Sequence, residues 1–197
     1  MAGIVLLLVT RKQKQVEQQL QQFVQQKGWR FETIRGRLVK GFRITSAEWT
    51  LEATSRSSDN DAEAGSSNME QKTTWTSAQS GTTILIGPRT TQVNLGAMGE
   101  MLQTQVIHAA LGKEAAGVQE VQAGSPSFRK RYMVWAQGVE DADRLLTPGV
   151  QSKLLSWTKV SPLIKRTSSG MIIELKGMHL QKIEEILKLV QLGESLL

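Results

Sequence analysis

Residues 48–54 read Glu-Trp-Thr-Leu-Glu-Ala-Thr, an unbroken alternation of polar and apolar side chains. Successive side chains of an extended strand point to opposite sides of the pleat, so Trp49, Leu51 and Ala53 share one face while Glu48, Thr50 and Glu52 share the other. One dry face and one wet face mark a half-buried strand of an antiparallel sheet. The same period-two pattern runs outward through residues 29–34, 38–44, 72–77 and 82–86, punctuated by Gly36, Gly41, the Thr45-Ser46 pair and Gly81. Trp75 carries the apolar face into the fourth of these strands. Between the third and fourth, residues 55–68 (SRSSDNDAEAGSSN) are too small and polar for burial to offset the entropy of ordering them. They predict a long, mobile hairpin loop.

Helical spacing frames this sheet. Val16, Leu20, Phe23 and Val24 recur along residues 13–27, with eight glutamines mostly on the other faces, and Gly28 supplies a left-handed stop onto which Trp29 can fold back. Leu95, Met98, Leu102, Val106 and Ala109 predict a central helix ending at Gly112, followed by a Gly/Ala/Gln linker as far as Pro126. Residues 128–136 (FRKRYMVWA) read as a strand and residues 140–146 as a short helix. Thr147-Pro148 then places an N-cap and a first-turn proline before a helix carrying Val150, Leu154, Leu155 and Trp157. Residues 164–167 and 171–175 form a hairpin across Ser168-Ser169-Gly170, and Leu180, Ile183, Leu187 and Val190 close the chain as an amphipathic helix. The expected fold is α+β: antiparallel sheet with N-terminal, central and C-terminal amphipathic helices. Residues 29–197 make one domain behind an apolar segment and helix at 1–28.

Composition narrows the chemistry. At 197 residues with 40% hydrophobic and 21% charged side chains, the chain is an ordinary globular one. With no cysteine, disulfides, thiolate metal sites, iron–sulfur clusters and a cysteine nucleophile are excluded. The two histidines, His108 and His179, have no serine, carboxylate or second histidine at a spacing that signals a triad or a zinc site. No catalytic residue, cofactor-binding residue or metal ligand is expected, and no cofactor.

The net charge of +6 is uneven: residues 11–43 carry +7, residues 44–125 carry −5 and residues 126–197 carry +4. The excess sits just behind residues 2–9 (AGIVLLLV), where Arg11, Lys12 and Lys14 follow the apolar run. A secretory signal has its cations before the apolar region and a small-residue cleavage site after it, so this order disfavours a cleaved leader. Eight helical residues reach about 12 Å against the ~30 Å of a bilayer core, too short to span alone. An apolar stub, then cations, then a one-sided helix reads as a helix leaving a membrane. Ile4, Leu6, Leu7, Leu8, Arg11, Lys12 and Lys14 are therefore the expected membrane-proximal residues, with the domain on the cytoplasmic side.

The stretch FRKRYMVWAQGVEDADRLLTPGVQSKLLSW, residues 128–157, together with the strand pair that follows, resembles the C-terminal half of an uncharacterised bacterial family of membrane-associated domains. The shared features are a strand with Phe and Val, a short acidic helix, a Leu-Thr-Pro helix start and a final hairpin. The resemblance implies a transmembrane segment ahead of the domain and a helix running into a Gly-punctuated β region, as GWRFETIRGRLVKGF does here. It implies no activity. This chain departs from the pattern in its shorter apolar run.

Several local features admit sharper readings. Arg30, Arg35, Arg37, Lys40 and Arg43 interleave with Trp29, Phe31 and Phe42, as on a single-stranded nucleic-acid surface, but the aromatics occupy core-type positions and no nucleic-acid motif is present. Arg129, Lys130 and Arg131 fit an exposed strand edge. Glu48 and Glu52 share a strand face as a carboxylate pair would, though pairing across strands with Lys72 explains them better. His108 belongs to the flank of the central helix and His179 to the start of the last one. Gly87-Pro88-Arg89 lacks the glycine-rich run of a phosphate loop. The expected function is a non-enzymatic accessory or interaction domain on the inner face of the plasma membrane, its N-terminal helix docked to the membrane surface or to a protein partner. The alternatives are a soluble enzyme or ligand-binding domain with a site assembled from scattered residues, its small-molecule ligand unspecified, and a weak nucleic-acid binder, which is disfavoured.

Overall fold

A computed structural model describes residues 15–57, 69–89, 105 and 107–197. Nine strands among them make one antiparallel sheet: β1 Arg30–Arg35, β2 Val39–Thr45, β3 Trp49–Ser57, β4 Met69–Ser77, β5 Ile84–Pro88, β6 Gln119–Val121, β7 Tyr132–Ala136, β8 Leu163–Thr167 and β9 Gly170–Lys176. Their order across the sheet is β1-β2-β3-β4-β9-β8-β5-β7-β6. The chain lays down the β1–β4 meander and the β5–β7–β6 group separately. The C-terminal β8–β9 hairpin then joins them, β9 against β4 and β8 against β5.

The helices are α1 (residues 15–26), α2 (residues 107–111), α3 Pro126–Arg131, α4 Val139–Leu145, α5 Pro148–Leu155 and α6 Ile183–Glu194, with a 3-10 turn at Gly112–Ala115. The class is α+β, as the alternation and the helical spacing predict. The α1 helix stops as the sequence signals: Gly28 sits at φ 70°, its N–H donates to the Gln25 carbonyl and that of Trp29 to the Val24 carbonyl, which closes a Schellman motif. Thr147 caps α5 by accepting from the Val150 N–H, with Pro148 in the first turn.

The core lies on one face of the sheet. In-register partners share a face, so Phe42 and Ile44 of β2, Trp49, Leu51 and Ala53 of β3, Trp75 of β4, Ile173 of β9, Ile164 of β8, Ile84 and Ile86 of β5 and Val134 of β7 form one apolar layer, all buried. Leu20 and Val24 of α1, Leu154 of α5 and Leu189 and Val190 of α6 pack onto it. Aromatic rings run through it: Trp29 meets Trp49 edge-on at 4.8 Å between centroids, and Trp49 stacks with Trp75 at 6.3 Å. On the reverse face a smaller cluster joins Leu111 and Ala115 to Leu85, Met133 and Trp135. Strand β7 is therefore buried on both sides, the reason YMVWA is continuously apolar where β3 alternates. Over β2, β3, β4 and β9 the reverse face is polar, with Arg43 bridging Glu52 at 2.8 Å and Glu32 at 3.5 Å, and Lys72 bridging Glu174 at 2.8 Å.

Four expectations are corrected. Residues 128–136 are not one strand: Pro126 starts a helix, the Ser125 hydroxyl accepts from the Phe128 N–H, and Arg129, Lys130 and Arg131 form the last turn of α3 before β7 begins at Tyr132. Lys72 does not serve Glu48 or Glu52, because β9 lies beside β4 and brings Glu174 closer. Residues 55–57 continue β3, since the Ser57 N–H bonds the Leu38 carbonyl and Ser55 and Arg56 pair with Gln71 and Glu70. His179 precedes the last helix instead of starting it, for α6 begins at Ile183. The linker before Pro126 also holds a short strand, β6, that the sequence reading lacks. Residues 58–68 of the expected loop, residues 95–104 and 106 of the central helix, and the whole of 1–14 lie outside the described residues. Among the described residues no helix is long and apolar enough to cross a membrane.

Candidate functional site

Two neighbouring pieces of chain and one distant in sequence line a groove of about 670 Å³ at one end of the sheet: Val16, Glu17 and Leu20 of α1, the β1–β2 hairpin, and the connection from β9 to α6. The hairpin turns at Gly36–Val39, where the Gly36 N–H donates to the Val39 carbonyl at 2.7 Å. In the register of β1 and β2, Phe31 lies opposite Ile44, Thr33 opposite Phe42 and Arg35 opposite Lys40, so Phe31, Thr33, Arg35, Lys40 and Phe42 share the core-side face. Phe31 and Phe42 stack at 5.7 Å. The α1 helix fixes itself to this strand through Glu17, whose carboxylate accepts from Thr33 Oγ1 at 2.9 Å and lies 3.9 Å from the Arg35 guanidinium.

The third wall is held by one buried threonine. Thr73 of β4 is fully enclosed; its hydroxyl donates to the Met178 carbonyl at 2.8 Å and accepts from the Leu180 N–H at 3.1 Å. The residue between those two contacts, His179, is thereby pinned over the sheet with its ring 5.9 Å from Phe42. Its Nδ1 lies 3.3 Å from Ser55 Oγ and 3.4 Å from Gln181 Nε2. Burial lowers its pKa below the ordinary imidazole range, opposed by the Ala53 carbonyl, so the ring is neutral at pH 7. Burial of the imidazole leaves Nε2 without a hydrogen-bond partner among the described residues.

The structure disperses most of the side chains that looked functional. Arg30 and Arg43 point to the face opposite Arg35 and Lys40, and Phe42 is buried, so the basic and aromatic residues of 29–43 do not form one surface. Arg131 is occupied by the Leu155 carbonyl at 3.0 Å and Ser161 Oγ at 3.3 Å, and Arg89 by Glu120 and the Arg129 carbonyl. Glu52 is neutralised by Arg43, and His108 is an exposed residue of α2. Among the described residues no group of three His, Asp or Glu side chains converges as metal ligands would. Ile4, Leu6, Leu7, Leu8, Arg11, Lys12 and Lys14 lie outside the described residues. What the sequence reading missed is the groove itself. Its one visible signal is the pair Arg35 and Lys40, which flank a Gly-started turn at a spacing that a tight hairpin makes face to face.

No family model, curated protein or solved structure matches the chain. The described residues form an α+β fold whose antiparallel sheet is joined at its middle by the C-terminal hairpin.

Proposed function

We propose that the chain is a non-enzymatic interaction domain held at the cytoplasmic face of a membrane through its N-terminal segment. The reading is supported most by where the chain enters the domain. Glu17, in the first described turn of α1, is fastened to Thr33 and Arg35, so the described start of the helix lies beside the β1–β2 turn. Arg35, Arg37 and Lys40 of that turn are all exposed. The reading adds to these three cations the three that precede this helix end in sequence, Arg11, Lys12 and Lys14. Each cation near an anionic leaflet contributes about 1 kcal/mol, so three hold a domain loosely, and Arg37 and Lys40, which share no carboxylate among the described residues as Arg35 does with Glu17, strengthen the hold. The apolar residues Ile4, Leu6, Leu7 and Leu8 would add the second, hydrophobic signal that stable anchoring requires.

Cosedimentation of the full chain with phosphatidylcholine vesicles, with and without phosphatidylglycerol, tests this. Recovery with the anionic vesicles is expected to exceed that with neutral ones, to fall as salt is raised, and to drop for Arg37→Glu and for the pair Leu6→Asp and Leu8→Asp. Equal recovery on both vesicles, or recovery indifferent to all three substitutions, would refute the membrane reading.

A further inference from the structure

We propose that the groove between α1, the β1–β2 hairpin and the β9–α6 connection binds a single-chain amphiphile with an anionic head, a long-chain carboxylate being the simplest member. Its volume of about 670 Å³ falls within the roughly 300–1,000 Å³ of small-molecule sites. The lining is divided by chemistry. Val16, Leu20, Phe31 and Phe42 give it apolar walls, and Val16 keeps 42% of its surface exposed there, an apolar helix residue with incomplete cover. The charged residues gather at the hairpin's turn, where Arg35 and Lys40 face each other across the two strands and the Glu17 carboxylate of α1 lies 3.9 Å from Arg35.

The balance of charge chooses the head group. Glu17 is already occupied by Thr33 and Arg35, while Lys40 has no ion-pair partner among the described residues. His179 is neutral because burial holds its pKa down, so it adds no competing charge. An anionic head can therefore sit between Lys40 and Arg35 while its chain lies along Val16 and the Phe31–Phe42 stack. A cationic head would meet two like charges against the single carboxylate of Glu17, already shared with Thr33 and Arg35, and an uncharged one would leave the charge-assisted hydrogen bonds unmade. This assignment concerns the same end of the molecule as the membrane reading but does not depend on it, because a monomeric amphiphile in water can occupy the groove.

Isothermal titration calorimetry of the full chain with dodecanoate, kept below its aggregation concentration, tests the assignment, with dodecanol and dodecyltrimethylammonium as head-group controls. One-to-one binding of dodecanoate is expected, at least about tenfold tighter than either control. Lys40→Glu and Val16→Glu, both at exposed positions, should each weaken it by about tenfold or more, while Lys159→Glu, an exposed cation outside the groove, should not. Equal affinity for the three heads, uptake without saturation, or binding unchanged in both groove variants would overturn the proposal. So would a wild-type chain that fails to bind while the pair Leu6→Asp and Leu8→Asp binds, for the occupant would then be the chain's own apolar segment. Loss of vesicle recovery with dodecanoate still bound would remove the tether alone, and the converse would remove the groove ligand alone.

Discussion

Replacing Gly193 with alanine sets two effects of known sign against each other. Gly193 lies in α6, two residues before the cap Ser195, and α6 buries it against the indole of Trp75. Helix propensity alone favours alanine over glycine by up to about 1 kcal/mol in a helix interior, and by less this close to the end. A Cβ at this position, however, would stand 2.5 Å from Trp75 Cζ2 and 2.7 Å from Cδ2, and closer still to Cε2. The ring cannot yield easily, because it is fully buried and stacked on Trp49. Overpacking a tight core costs about 1–3 kcal/mol. The overlap should win, leaving Gly193→Ala destabilised by about 1–2 kcal/mol, or a few degrees of Tm at the roughly 2–4 °C per kcal/mol expected for a domain of this size. Denaturant and thermal unfolding of the variant measure it. Trp75→Leu removes Cε2 and Cζ2, the two atoms nearest the new methyl, and it also removes Nε1, which burial leaves without a hydrogen-bond partner among the described residues. In that background the alanine should be neutral or stabilising, giving a coupling of about 1 kcal/mol between the two sites. A wild-type background in which Gly193→Ala raises the Tm would refute the close packing of α6 on β4.

Thr73→Val keeps the shape of the buried side chain but strips the Met178 carbonyl and the Leu180 N–H of their partner; about 2–3 kcal/mol should be lost by chemical denaturation, and amide exchange at residues 178–180 should speed up. His179 has its pKa lowered by burial, so the unfolded chain takes up its proton first. Its contribution is intact above the unfolded value of about 6.5 and is lost as pH falls from there through the folded pKa, and the corresponding drop in Tm should be smaller in His179→Gln. Glu114 accepts the Ser168 N–H at 2.9 Å and a hydrogen bond from Thr83 Oγ1 at 3.1 Å, which holds its pKa below the ordinary glutamate value. Stability owed to it should persist above the unfolded pKa of about 4.3 and disappear as pH falls through the folded one. Glu114→Gln should flatten the acid limb of the Tm profile, and an unchanged limb would place the linkage elsewhere.

The parts of the fold legible in the sequence are those set by local rules, and the parts that were not depend on which distant strand arrives next. Alternation from Trp49 to Ala53 fixes which face of β3 is buried, and the Thr147-Pro148 start of α5 needs only its own hydroxyl and proline ring. Nothing local says that β9 inserts between β4 and β8, about a hundred residues after β4, and so Lys72 could be assigned to the wrong carboxylate until Glu174 appeared beside it. In FRKRYMVWA the apolar density of the second half suggested a strand throughout, whereas Ser125 and Pro126, just upstream, had already committed the first half to a helix. The groove shows the same division. The sequence displays five cations among aromatics over residues 30–43, and a linear reading groups them as one surface. Pleat parity alone sends Lys40 and Arg43 to opposite faces. The hairpin register then does what parity cannot: it sets Arg35 against Lys40 on the face that α1 and His179 enclose, and leaves Arg43 to Glu32 and Glu52 on the other. The groove face therefore carries Arg35, shared with Glu17, and Lys40, which has no ion-pair partner among the described residues, and that surplus of one cation decides which charge a ligand there must carry.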